Sequence, residues 1–260
     1  MSSRREEKER ARLEREGRER ELAAAAARGR RLKIISGVFG LAALAVIILV
    51  AVSLGGGGGD GVTGAEAVQA RFDGIPQSDF RLGKEDAPVT IVEFADLKCP
   101  FCRDFAVAVL PTLVDDYVRD GKLRIDFRNL AFVGEAVAPG DSADAATFAA
   151  ATGFQSRFWN FIDLFYANQR DESSRYATDD WLRKLGELVP GLDVEKAFAE
   201  REDARVTAQL TAADELFQEH GFSGTPSFLI GKTGGKLEKL EPESVDDVAP
   251  FTAAIDKLLK

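Results

Sequence analysis

Cys99 and Cys102 are the only cysteines in a chain of 260 residues, and only Pro100 and Phe101 separate them. Two cysteines at this spacing either hold a metal with partners from elsewhere or exchange electrons. The setting favours electrons. An apolar, strand-like run precedes the pair, and a helix-like pattern starts at Cys99. A cysteine at a helix N-terminus faces unpaired backbone N–H groups and the positive end of the dipole, and both stabilise the thiolate that does the chemistry. Pro100 suits the first helical turn, where its missing N–H costs nothing. Lys98 and Arg103 would add positive charge if they face the sulfur. Cys102, one turn inside, would be shielded and resolve a mixed disulfide.

Three other residues carry chemistry. Glu93 sits in the apolar run, in alternation with Ile91 and Ala95. A carboxyl buried there would hold its proton tightly and could shuttle it to or from the thiols. Thr225-Pro226 precedes a second strand-like run, and an X-Pro bond there can be cis. His220, the only histidine, reads as a helix C-terminal residue before the Gly221 stop. A zinc site from Cys99, Cys102, His220 and a carboxylate stays open as an alternative, although the chain offers few ligands for it. A purely structural disulfide would close a very small loop and gain little.

These residues need elements to position them. Residues 88–95 read as a strand of β-branched and aromatic residues. A helical pattern from Cys99 to Arg119 should be kinked or split by Pro111 and stopped by Gly121. Residues 122–130 read as a second strand, with Leu123, Ile125 and Phe127 on one buried face. Helical pieces follow at 141–152, 155–168, 178–189, 193–200 and 203–220. Phe158, Trp159, Phe161, Ile162, Leu164 and Phe165 form a core stripe in the second of them. Residues 226–230, a turn at 232–236 and a return at 237–240 make a hairpin. Residues 244–259 close the chain as an amphipathic helix. The order predicts a small mixed sheet with helices packed on it and a helical insertion.

The N-terminal part has another character. Residues 1–33 hold 12 Lys/Arg and seven Glu, a net +5, in a chain whose total is −9. Glu6–Arg10, Glu14–Arg18 and Glu16–Arg20 have the order of a solvated helix. Their alternating signs argue against a nucleic-acid arm. Ile34 to Leu54 is uncharged, with Ser36 and Ser53 as its only polar side chains. Its 21 residues suffice for a bilayer span and exceed the apolar core of a cleaved signal. Arg28, Arg30, Arg31 and Lys33 flank one side, and no Lys or Arg follows until Arg71. The positive-inside rule places the N-terminus in the cytoplasm and the remainder outside. Five glycines from Gly55 to Gly59 begin a flexible linker expected to reach residue 79.

Together the residues resemble a known family. Ala87-Pro88-Val89-Thr90-Ile91-Val92-Glu93-Phe94-Ala95-Asp96 followed by Cys99-Pro100-Phe101-Cys102 resembles the DsbA-like thiol-disulfide oxidoreductases of the thioredoxin superfamily. Phe158-Trp159-x-Phe161 with Leu164-Phe165 resembles the helical insertion of that family. Gly224-Thr225-Pro226-Ser227-Phe228 resembles its cis-proline loop. The likeness covers residues 80–260. It implies an α/β thioredoxin fold with a helical domain inserted at about 132–220, preceded here by one transmembrane helix at 34–54. It implies Cys99 as the nucleophilic sulfur, Cys102 as the resolving sulfur and Glu93 as the buried acid, with Pro100 and Phe101 as the active-site loop. Thr225 and Pro226 would contact bound peptide.

The expected cofactor is none beyond the Cys99–Cys102 disulfide itself, with no metal. The expected partners are exported protein or peptide thiols and a membrane redox partner that reoxidises the pair, with no nucleic acid. One residue departs from the family's strongest oxidants, which carry His in the dipeptide where this chain has Phe101. An aromatic ring gives the thiolate no hydrogen bond or charge, so the resemblance does not carry over the direction of electron flow. The oxidising compartment and the lone pair of cysteines favour introducing disulfides into exported proteins, with reduction or isomerisation on the same fold as the alternative. A non-catalytic redox-sensing or binding module is the remaining alternative.

Overall fold

The structure, a computed structural model, describes residues 62–133 and 140–260. The charged head at 1–33 and the apolar run at 34–54 lie outside the described residues. Among the described residues no helix is long and apolar enough to cross a membrane.

The strand expected at 88–95 is β3 (Val89–Asp96), and the one expected at 122–130 is β4 (Leu123–Leu130). They pair in parallel, with Glu93 opposite Phe127 and Asp96 opposite Leu130. Two short strands, β1 (Gln77–Ser78) and β2 (Arg81–Leu82), extend the sheet beyond β4. On the other side β3 pairs antiparallel with β5 (Ser227–Lys232), and β5 with β6 (Glu238–Leu240). The sheet order is β1-β2-β4-β3-β5-β6, so β3 runs through its middle and all eight of its residues are buried.

The helix entered from Cys99 is divided as Pro111 requires. It comprises α2 (Pro100–Ala108), α3 (Leu110–Leu113) and a π turn at Val114–Val118. Pro111 has no N–H for the Val107 carbonyl, and the regular ladder breaks between them. Gly121 ends the element at φ 73°, a left-handed conformation that favours glycine. Five helices then follow, α4 (Asp141–Gly153), α5 (Phe158–Ala167), α6 (Asp179–Gly186), α7 (Val194–Glu200) and α8 (Ala204–Glu219). The chain closes with α9 (Ala249–Leu259), five residues shorter at its start than the pattern predicts.

The two faces of the sheet are covered differently. Ile91, Ala95, Ile125 and Phe127 join the main core with Phe105 of α2, the aromatic stripe of α5, and Phe251 and Ile255 of α9. Val92, Phe94, Leu130 and Leu229 face the other way, onto Ala213 and Phe217 of α8. The long α8 therefore belongs to the sheet's own layers, so the expected insertion does not extend as a separate piece to residue 220. Residues 62–260 form one compact unit.

Part of the stretch expected as linker, up to residue 79, is instead regular structure packed on the core. Residues 65–72 form α1, whose Val68 and Phe72 are buried in the main core. Arg71 of α1 forms an ion pair with the buried Asp163 of α5. A helix this short gains its stability from such docking rather than from its own propensity.

Candidate active site

β3 and α2 meet at the cysteine pair. Cys99 is the N-cap of α2, with extended backbone (φ −70°, ψ 122°), and Pro100 opens the first turn. Cys99 is 5% exposed and Cys102 is fully buried, both as free thiols. Phe101, between them, is 61% exposed. The Thr225-Pro226 peptide bond is cis, and the Cys99 Sγ lies 3.3 Å from the Thr225 carbonyl oxygen. Cys99, Cys102, Pro100, Phe101, Thr225 and Pro226 thus come together from the N-terminus of α2 and the start of β5.

The two sulfurs are made unequal by their surroundings. Donation from the Cys102 thiol is the largest influence holding the Cys99 pKa down, to about 7; the Thr225 side chain and the N–H groups of Cys102 and Phe101 act the same way against the cost of burial. Burial pushes the Cys102 thiol well above its ordinary range, and its bond to Cys99 pushes it further. The Phe101 ring gives the thiolate nothing, but its backbone N–H does.

Lys98 and Arg103 do not supply the charge expected of them. Lys98 is fully buried and turned away, paired with Asp141 at the start of α4 and donating to the Ser174 carbonyl at 3.0 Å. Arg103 pairs with Asp104 at 2.7 Å. The thiolate is stabilised by hydrogen bonds and not by a neighbouring side-chain cation.

Glu93 is 2% exposed, and burial first, with the Asp163 charge second, raises its pKa to about 8. Its charge would bear on Cys102, so the two groups are electrostatically coupled. Asp163 is itself pushed up to about 6 by burial and held there by Arg71. Among the described residues no three His, Cys, Asp or Glu side chains come together to hold a metal ion. His220 caps the C-terminus of α8 and stacks on Phe222, so the zinc alternative gains no ligand set there.

Sequence reasoning missed Asp96, which lies at the end of β3, fully buried. Its carboxylate accepts from the N–H groups of Lys98, Phe132 and Val133 and from the Ser142 hydroxyl, each at 2.8 Å. The signal available was its place three residues before Cys99.

The comparisons with known proteins agree with this geometry. A family model described as Thioredoxin matches residues 77–249. A probable disulfide bond formation protein D from Bacillus cereus is 33% identical over 180 residues, covering 69% of this chain and 78% of that one. The chain belongs to the DsbA-like oxidoreductases of the thioredoxin superfamily. Among solved structures, oxidised BdbD from Bacillus subtilis aligns with a TM-score of 0.59 at 25% identity, over 70% of this chain and 92% of that one. A thioredoxin-like oxidoreductase from Silicibacter pomeroyi aligns at 0.54 and 29% identity, over 73% and 95%. This DsbA-like chain is accordingly a thiol-disulfide oxidoreductase with a thioredoxin-like α/β fold.

Proposed function

We propose that this oxidoreductase is anchored in the membrane by residues 34–54, faces the outside, and introduces disulfides into exported proteins through Cys99 and Cys102. The observation that carries the exchange chemistry, whichever way it runs, is the inequality of the two sulfurs, one with a pKa of about 7 and one pushed far up. The apolar run with its basic flank supports the location, where disulfides persist. The relatives named for disulfide bond formation support the direction.

The oxidised pair begins as a Cys99–Cys102 disulfide. A substrate thiolate attacks the Cys99 Sγ, the S–S bond breaks, and its electron pair leaves on Cys102. Cys102 then takes a proton, which Glu93 holds at neutral pH because its pKa is about 8. A second substrate thiolate attacks the substrate sulfur of the mixed disulfide. Cys99 departs as a thiolate, eased by its lowered pKa. Two electrons have passed from two substrate thiols to the pair, and a membrane redox partner removes them. The Thr225-Pro226 loop lies over the Cys99 sulfur, where a bound peptide would run.

Cys99→Ser should abolish turnover of a dithiol peptide, and Cys102→Ser should accumulate mixed disulfides with substrate. Full activity in Cys99→Ser would overturn the mechanism. One observation favours the reverse direction: a Cys99 pKa of about 7 is that of a thioredoxin, while DsbA lies near 3.5. A redox titration decides between them. A potential toward about −120 mV supports disulfide formation, and one toward about −270 mV makes the chain a reductant.

A further inference from the structure

The nucleophile's backbone is held from one side. Every residue from Asp96 to Cys99 is bonded to the stretch that runs from the start of α4 to the loop before α6. The Asp96 carboxylate accepts from Ser142, and its carbonyl accepts from the Tyr166 hydroxyl at 3.3 Å. Lys98 is paired with Asp141 and reaches the Ser174 carbonyl. The carbonyls of the other two residues, Leu97 and Cys99, share one donor. The Gln169 Nε2 donates to the Leu97 oxygen at 2.8 Å and to the Cys99 oxygen at 3.0 Å.

Gln169 rests on a fixed post. Asn168, the C-cap of α5, donates to the Leu164 carbonyl at 2.8 Å and to the Thr63 carbonyl at 2.9 Å, and accepts from the Thr63 N–H at 2.8 Å. The Gln169 N–H closes the turn onto the Tyr166 carbonyl. A side chain so mounted bridges the carbonyls of the two residues that flank Lys98. The Cys99 carbonyl that it holds is also the one that receives the Arg103 N–H and starts α2.

We propose that Gln169 is a positioning residue for Cys99: its amide clamps the carbonyls of Leu97 and Cys99 and thereby fixes the sulfur under the Thr225 loop. This rests on Cys99 being the attacking sulfur. The donors that stabilise the Cys99 thiolate are short-range and directional, so a nucleophile free to shift loses part of each bond. Removing the clamp should raise the thiolate's pKa without touching any atom that meets substrate.

Gln169→Leu keeps the side-chain bulk and removes the donors, and Gln169→Ala removes both. Gln155→Ala is the matched control. Gln155 lies between α4 and α5, where its amide likewise makes two bonds, to the Asp193 carbonyl and N–H. The ultraviolet thiolate absorbance of the reduced full chain is titrated, and kcat and KM are measured for a dithiol peptide.

Both Gln169 variants should raise the Cys99 midpoint by about half a pH unit or more and lower kcat by about threefold or more, with KM unchanged. Gln155→Ala should lower the melting temperature and leave midpoint and kcat at their original values. Wild-type midpoints in both Gln169 variants, or an equal shift in Gln155→Ala, would overturn the proposal. A wild-type chain without turnover would instead sink the reading of the pair, and the thiolate titration would still report on Gln169.

Discussion

Glu93 and Asp96 are buried carboxyls three residues apart on one strand, and they are treated in opposite ways. Glu93 points into the main core with Ile91 and Ala95. Burial and the Asp163 charge both act upward on it, and its pKa reaches about 8. Asp96 lies at the strand's end among four donors, three backbone N–H groups and a hydroxyl. Burial pushes its pKa up, and those four bonds pull it back. A carboxyl denied stabilising partners keeps a proton to trade, whereas one surrounded by donors becomes a fastener. The same chemical group thus serves the reaction at one position and the scaffold at the other.

The sharpest break of this contrast is at the fastener. Asp96→Ala would strand the Lys98 N–H and the Ser142 hydroxyl in a buried site, and the N–H groups of Phe132 and Val133 in a part-buried one. Each stranded buried donor costs on the order of 1–3 kcal/mol, so a loss of roughly 4 kcal/mol or more is expected. Asp96→Asn still accepts and should lose about half as much. Urea unfolding curves of both variants check this, and an Asp96→Ala protein as stable as the parent would remove the distinction between the two carboxyls.

Glu93 gives the next largest effect, with the opposite sign. Its pKa is 4.5 in an ordinary setting and about 8 in the fold. Between these values the unfolded chain has released the proton while the folded chain keeps it. Stability from this group is therefore full below about pH 4.5 and is lost as pH rises toward 8 and beyond. The full shift corresponds to roughly 5 kcal/mol, a ceiling that local rearrangement around an ionised Glu93 would reduce to about 2–3 kcal/mol. Glu93→Gln should therefore be more stable than the parent at pH 9, with little difference at pH 4. It should also lose activity at neutral pH for want of a proton to trade. Parallel unfolding curves at the two pH values would show that Glu93 is not held neutral.

The parts of this arrangement differ in how plainly the sequence displays them. Cys99, Cys102, Glu93 and Thr225-Pro226 stood out because each sits in a local pattern, a strand, a helix start or an X-Pro step. The helices at 141–153 and 204–219 were legible from periodicity to within a residue at each end. The fastening contacts were not, because Asp96–Ser142, Gln169–Leu97 and Lys98–Ser174 join residues 46 to 76 positions apart. No local pattern encodes such pairs. Lys98 misled for the same reason: adjacency to Cys99 suggested a cation for the thiolate, while its partner Asp141 lies in another helix. α1 escaped because Val68 and Phe72 are its only buried residues, too few for a helical stripe.

α1 also supplies the smallest and most specific test. Arg71 reaches Asp163, whose charge raises Glu93. Asp163 is 3% exposed and Arg71 23%, so the pair is partly screened on one side. Arg71→Ala should cost about 1–2 kcal/mol, below the figure for a fully buried pair. Its chemical consequence is more telling than its cost. Without Arg71 the Asp163 pKa rises from about 6, and Asp163 carries less negative charge at neutral pH. The charge that raises Glu93 is then weakened, and the Glu93 pKa falls from about 8. The alkaline limb of the pH-rate profile, where Glu93 gives up its proton, should therefore move to lower pH in Arg71→Ala. Asp163→Asn, which removes the same charge directly, should move it the same way. If the limb stays fixed in both variants, burial alone holds the proton on Glu93, and the contrast with Asp96 reduces to the presence or absence of donors.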